Sequence, residues 1–374
     1  MQTYEYAVIG AGIVGASFAA RMAPKASVLL LEAEPHPGYH STGRSAALYT
    51  CLYGNELVRA ITRAGREFLD SPPPGFAEHP LLPPRGRLYV GGEHTRETIE
   101  AFCTSPYVRR LTSAEARAWV PVLRPEAVVH TALDTSAHDI DVNALHLGFL
   151  RMAKAAGAVL ACNAGVQALE RKQGGWRIVT ASGEFHARVL VNAAGAWADT
   201  LAALAGIGPL GITPLRRTAM LIDSPDAVCS AGWPAVIAAD ASYYFKPDAG
   251  LILASPCDET PSEPCDAQPE ELDIAIGVDR IETATTLNIR RVTRSWAGLR
   301  TMTLDRSPVV GYDPRCEDFF WLAGLGGYGV KTSPALSVFA TSLALRETAP
   351  ESFEAAGITA AAMAPNRLLE RNTA

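Results

Sequence analysis

Charge, disulfide chemistry and membrane-spanning length are what this chain has little of. Charged residues make up 19% of its 374 positions and the formal net charge is −6, with no basic block. The electrostatic footprint of a nucleic-acid binder is therefore missing. No uninterrupted apolar run reaches the length needed to cross a bilayer, so no transmembrane helix is expected. The apolar stretch from Ala7 to Ala23 has no basic flank and follows Glu5, which argues against a secretory leader. Cysteine is sparse and odd in number, with seven residues and no CxxC pair. That excludes a disulfide framework and a zinc site, so no metal is expected. Cys51, Cys103, Cys162, Cys229, Cys257, Cys265 and Cys316 read as reduced thiols of a cytoplasmic protein. A peripheral contact with the inner face of a membrane leaves no mark in such a sequence and stays open.

What is present is an ordinary globular composition, 48% hydrophobic, in a chain long enough to favour two domains. Its strongest local signal is Gly10-Ala11-Gly12-Ile13-Val14-Gly15, directly after the apolar run Tyr6 to Ile9. A second apolar run, Val28 to Leu31, ends at Glu32 and Ala33. Strand, tight turn, small-residue helix, strand and terminal acid together form the dinucleotide fingerprint. Gly10 permits the turn, Gly12 admits a pyrophosphate, and Gly15 lets helix and strand pack closely. The helix N-terminus offers N–H groups to phosphate, and Glu32 can accept both hydroxyl protons of a ribose.

Further along, the spacing predicts helices over Ile13 to Met22, Asn55 to Leu69, Asp141 to Ala156 and Gln268 to Ala284. Strands are expected over Arg87 to Gly91, Val128 to Leu133, Val189 to Asn192, Leu215 to Ile222 and Arg291 to Met302. Lys246 to Gly250 has the composition of a hairpin turn. Prolines at 72–74, 80, 83 and 84 mark a domain crossing. Two more strand-to-helix turns follow, Asn192 to Trp197 and Gly324 to Gly329. A nicotinamide enzyme needs only one such turn, whereas the longer FAD uses all three. The helix opened by Gly324 to Gly329 would place its positive end at the flavin pyrimidine, where reduction adds negative charge.

Five strings carry a resemblance over nearly the whole chain. They are Gly10 to Gly15 with Glu32, His40 to Ala47, Val191 to Trp197, Trp296 to Arg300, and Gly326 to Thr332. Together they resemble the D-amino-acid oxidase superfamily of FAD-dependent oxidoreductases, which includes glycine oxidase. Within it, Gly38 to Ala47, Glu78 to Leu82 and Lys246 to Gly250 are most similar to bacterial D-arginine dehydrogenases. The resemblance implies an α/β fold in which a Rossmann-like FAD domain is interleaved with a mainly antiparallel substrate sheet. The FAD domain is expected over 1–75, 140–212 and 305–374, and the substrate domain over 76–139 and 213–304.

The resemblance also implies a non-covalent FAD site. Thr42, Gly43, Arg44, Ser45 and Ala46 would pass the flavin, and Val166 would offer backbone bonds to adenine. Ala194, Gly195, Trp197, Gly298, Gly326, Gly327, Tyr328, Gly329 and Val330 would complete the cradle. Arg300 is expected to anchor a substrate carboxylate, for which a planar guanidinium fork is suited. Tyr53, Tyr244 and Arg217 match substrate-contacting positions, with Arg216 as the neighbour that matters less. Three positions depart from the arginine enzymes: Leu48 stands for a histidine, Arg87 for an acid, and Lys331 for a glutamine. Reversing the charge at Arg87 disfavours cationic substrates. Arg87 with Arg300 and Lys331 would suit a second carboxylate; alternatively Arg87 points outward and the substrate is neutral.

The expected reaction is oxidation of a D-amino acid to an imino acid by hydride transfer, the reduced flavin then yielding its electrons to a quinone or oxygen. One alternative is a flavin-dependent 2-hydroxy-acid dehydrogenase, which needs His40 or His138 as a base. Another is a flavin-binding assembly protein without turnover.

Overall fold

The structure, a computed structural model, describes residues 3–224 and 230–369. Cys229 lies outside the described residues. Two sheets organise the chain. The first runs, in spatial order, Val309–Asp313, Cys316–Ala323, Gly183–Asn192, Thr3–Ile9, Val28–Leu31 and Val159–Ala161. Thr3–Ile9 lies parallel to both Val28–Leu31 and Gly183–Asn192, and Gly183–Asn192 lies parallel to Cys316–Ala323. All four residues of Val28–Leu31 are buried, because helices and strands cover the sheet on both faces. Gly175–Thr180 and Val166–Lys172 extend this layer as an antiparallel meander.

Ile13–Met22 packs on the helices Val142–Ala155 and Gly329–Ala344, burying Phe18, Met22, Leu145, Phe149 and Phe339 in one core. Burying each such large side chain contributes roughly 1.5–3 kcal/mol. That packing holds the helices that follow the first and last glycine turns, with Val142–Ala155 packed on the first of them. Asp141 caps the second helix, its side chain accepting from the Ala144 N–H at 2.8 Å.

The second sheet is antiparallel except for one pair and has the order Thr260–Pro261, Thr213–Asp223, Leu251–Ser255, Tyr244–Asp248, Ala235–Ala238, Arg87–Gly91, His130–Asp134, Val108–Leu111. Val292–Met302 pairs along Thr213–Asp223, which sets Arg300 opposite Leu215 and Gly298 opposite Arg217. The architecture is thus an α/β fold with a Rossmann-like region interleaved with a largely antiparallel sheet.

Three local expectations are corrected. The helix expected over Asn55 to Leu69 is two, Glu56–Ala64 and Arg66–Asp70, divided at Gly65. Pro125–Val128 forms a short 3-10 turn, so the next strand starts later, at His130–Asp134. Lys246 and Pro247 belong to the strand, and the hairpin reverses at Ala249 and Gly250, which take φ of 48° and 85°. Both residues are left-handed there, as a two-residue hairpin loop requires.

Candidate active site

One large cleft runs from the first glycine turn to the last and is walled by both sheets. At its dinucleotide end, Gly10 takes φ 104°, and a Cβ there would sit 2.5 Å from the Ala193 carbonyl oxygen. The first two glycine turns are therefore in contact, and a side chain at Gly10 would drive them apart. Gly12, which has no side chain of its own, stands at the cap of the following helix, and that helix has no acid in its first turn. Such an end is free to face phosphate. Thr42 Oγ1 accepts the Ile13 N–H at 3.0 Å, joining the second loop to the helix end.

Glu32 is buried at the strand tip. Its Oε2 accepts from the Ala11 N–H at 3.0 Å and its Oε1 from the Glu34 N–H at 3.1 Å. A carboxylate has about four acceptor directions, so each oxygen retains one for a ribose hydroxyl. Ala33, Val14, Val166, Ala194, Gly195 and Trp197 stand on the same wall. Gly15 and Gly43 are not on it; Gly15 is held against Gly10, and the Gly43 N–H donates to the Gly38 carbonyl at 2.8 Å. Thr200 and Leu201, which no motif marks, also line the cleft from the helix Ala198–Leu204.

The middle of the cleft is bordered by Arg44, Ser45, Ala46 and Gly298. The Arg44 side chain turns away from it, donating to the carbonyls of Ala267 and Ala297 and pairing with Asp266. Ser41, unforeseen, donates to the Leu299 carbonyl at 2.6 Å. These bonds tie the loop to the strand Val292–Met302 and to Ala267.

At the far end, Gly326, Gly327, Gly329 and Val330 open the helix Gly329–Ala344, which has no side-chain cap and no acid in its first turn. Tyr328 is buried beneath this turn with Val58, Met302 and Leu215. Arg300 lies directly against the turn: a Cβ on Gly327 would be 3.0 Å from its guanidinium carbon. Arg300 Nη1 donates to the Tyr53 hydroxyl at 3.3 Å, and no carboxylate pairs with it among the described residues. Burial opposes the Arg300 charge, but Tyr53, Tyr244, Cys257 and Glu259 favour it and leave its pKa above the ordinary arginine value. Tyr244 shares the wall, and burial raises its phenol pKa.

Arg217 also reaches the cleft but is already engaged: Nε donates to the Asp258 carbonyl at 2.6 Å and Nη2 to Glu259 at 3.0 Å. Glu259 is shared with Arg306, and neither acid was foreseen. Arg216 is paired instead with Glu270 and Asp273.

Tyr328 is likewise off the cleft wall, and so are four residues expected at the substrate: Tyr53, Lys331, Arg87 and Leu48. Leu48 pairs with Asp139 in a two-stranded ribbon formed with His138–Asp139. Lys331 is turned into the protein, donating to the carbonyls of Thr50 at 2.9 Å and Tyr53 at 2.7 Å. Burial, reinforced by the charge of Arg87, pushes its pKa down to about 7. Arg87 faces inward, its guanidinium 4.7 Å from the Tyr89 ring centre and 6.0 Å from that of Tyr53.

A parallel-sheet dinucleotide cradle opening onto an antiparallel sheet that carries Arg300 defines a flavin-dependent oxidoreductase. Residues 5–343 match the family model described as FAD dependent oxidoreductase, DAO, and the chain belongs to that family and binds FAD. It is 25% identical over 246 residues to glycine oxidase of Geobacillus kaustophilus, covering 64% of this chain and 62% of that protein. It is 27% identical over 166 residues to FAD-dependent oxidoreductase domain-containing protein 1 of Bos taurus, covering 40% of this chain and 34% of the relative. The matches thus span less than two thirds of these relatives' lengths. Among solved structures, L-proline dehydrogenase from P. horikoshii superposes with a TM-score of 0.81 at 21% identity, over 99% of both chains. Glycine oxidase from Geobacillus kaustophilus does so with 0.78 at 22%, over 93% of this chain and 96% of that one. At these identities the likeness is one of fold. Among the described residues no helix is long and apolar enough to cross a membrane.

Proposed function

We propose that the protein oxidises the α-amino group of an amino acid, of D configuration, to the imino acid. The observation that carries this reading is Arg300, a guanidinium at the flavin end of the cleft with no carboxylate partner. A substrate carboxylate taken by its fork makes two parallel charge-assisted hydrogen bonds, which fix the orientation of Cα. The Tyr53 hydroxyl, already on Arg300, and the Tyr244 phenol on the wall are the adjacent donors. Gly327 leaves room for nothing but hydrogen between the guanidinium and the last turn. FAD, when bound, supplies the hydride acceptor, and oxygen or a quinone takes the electrons onward.

The substrate loses one proton from nitrogen and a hydride from Cα, the nitrogen lone pair forming the C=N bond. The imino acid then hydrolyses in water. What the chain supplies is position and charge stabilisation. The relatives named above for glycine and proline also act on compounds with a carboxylate beside an amino group, which supports the reading. A 2-hydroxy acid would need a base, and each candidate imidazole already holds a partner through one ring nitrogen, His40 on the cleft wall and His138 off it. His40 pairs with Glu34 at 2.9 Å, and His138 Nδ1 lies 2.8 Å from the Ser136 carbonyl.

Anaerobic mixing of the holoenzyme with D-amino acids, their L enantiomers and 2-hydroxy acids tests the reading. Loss of flavin absorbance with D-amino acids is the expected result. Bleaching by hydroxy acids alone, or by nothing in the panel, overturns it.

A further inference from the structure

We propose that Arg87 is a specificity residue that receives a second carboxylate, so that the preferred substrate is a dicarboxylic amino acid of the aspartate or glutamate type. This rests on the oxidation proposed above. Arg87 and Tyr89 share one face of the strand Arg87–Gly91, and that face looks onto the Tyr53 loop, with Leu52 packed beside Tyr89. Arg300 reaches the hydroxyl of Tyr53 while Arg87 lies over its ring, so one phenol separates the two guanidinium groups. Arg87 is off the cleft wall and part-exposed beside the Tyr53 ring, and a second carboxylate on a ligand held by Arg300 must pass that ring to reach it.

The surroundings of Arg87 lack what a structural arginine normally has. It makes no hydrogen bond or ion pair among the described residues, and its buried Nε has no partner. Asp134 stands directly opposite in the strand register, where a salt bridge would be simplest to build. Its carboxylate instead accepts from Thr50 at 3.0 Å and from the Ser136 hydroxyl at 2.6 Å. The other acids nearby are also engaged: Glu259 holds Arg217 and Arg306, and Asp139 holds Arg85 and Lys246. The rings of Tyr53 and Tyr89 attract the guanidinium charge without taking its N–H groups. The field of this cation is felt at depth, since Arg87 helps to drive the buried amine of Lys331 toward neutrality. An unpaired, partly desolvated guanidinium is costly, and an incoming carboxylate relieves that cost while a cationic side chain worsens it.

The test compares anaerobic flavin reduction by D-aspartate and D-glutamate with that by D-norvaline and D-arginine. It adds calorimetric binding of two inert acids, glutarate and butyrate, to the holoenzyme. The dicarboxylic substrates are expected to exceed D-norvaline in kcat/KM at least about tenfold, with D-arginine poorest. Glutarate is expected to bind more tightly than butyrate. In Arg87→Met the ratio of kcat/KM for D-glutamate over D-norvaline should fall about a hundredfold, through KM, as expected for removal of one partner of a desolvated ion pair. Arg87→Gln serves if the methionine variant loses FAD, and Arg87→Glu should move preference toward D-arginine. Equal loss for both substrates in the variants, D-norvaline as the better substrate, or butyrate binding as well as glutarate overturns the proposal and leaves amino-acid oxidation standing. Bleaching by no amino acid removes both.

Discussion

Gly327 and Arg300 are in direct backbone-to-guanidinium contact: any side chain at 327 would begin 3.0 Å from the Arg300 guanidinium carbon and Nη1. The last glycine turn and the carboxylate anchor are thus one construction. Gly327→Ala must displace the guanidinium while leaving its charge intact. The expected outcome is a rise of about tenfold or more in KM with FAD content unchanged, read by steady-state kinetics and the flavin spectrum. An unaltered KM would show that substrate does not depend on this position of Arg300.

Arg300→Met removes the anchor altogether. Truncating one member of a buried, hydrogen-bonded charge pair costs about 2–5 kcal/mol. The variant should therefore lose between about thirtyfold and a few thousandfold in kcat/KM, without saturation. Single-turnover flavin reduction measures this.

Glu32 already holds the N–H groups of Ala11 and Glu34 and has one acceptor direction left on each oxygen for ribose. Hydrogen bonds to charged groups contribute about 1.5–3 kcal/mol. Glu32→Gln should weaken FAD binding roughly tenfold to a hundredfold, measured by fluorescence titration of apoprotein with FAD. The Arg300 variants should bind FAD normally in the same assay.

Lys331 has a pH signature. Its amine titrates near 7 when folded, against an ordinary value of 10.5, so above pH 7 the unfolded chain binds the additional proton. Stability must then rise with pH between about 7 and 10.5, and that gain is fully lost once pH has fallen to 7. Denaturant unfolding at pH 6.5 and pH 9, with FAD concentration fixed, should show a larger gain for the native protein than for Lys331→Met. The variant should also be less stable at pH 9, where the carbonyls of Thr50 and Tyr53 lose their donor.

The glycine turns were legible in the sequence because each imposes a local demand that few residues meet, such as the positive φ and close approach at Gly10. The helix Ile13–Met22 and the acid at 32 follow from the same local pattern. Orientation at the substrate end was not legible. Arg85 and Arg87 differ by one pleat period, yet Arg85 pairs with Asp139 while Arg87 faces Tyr53. Arg85 precedes the strand, so alternation does not carry through it. Lys331 turned inward because two carbonyls from a loop some 280 positions earlier lie within its reach, a fact of tertiary packing alone. The strand Val108–Leu111 escaped notice because Arg109 and Arg110 break its apolar alternation.

The strand order behind the contact between Gly10 and Ala193 also bears on assembly. Thr3–Ile9 is flanked by Val28–Leu31 and by Gly183–Asn192, and the latter is flanked in turn by Cys316–Ala323. Thr3–Ile9 therefore completes its pairing only when the distant strand Gly183–Asn192 has joined it. Such long-range parallel pairing is slow to form. A folding intermediate in which the third glycine turn has not formed has a pyrophosphate loop but no flavin seat, so cofactor capture waits on that turn.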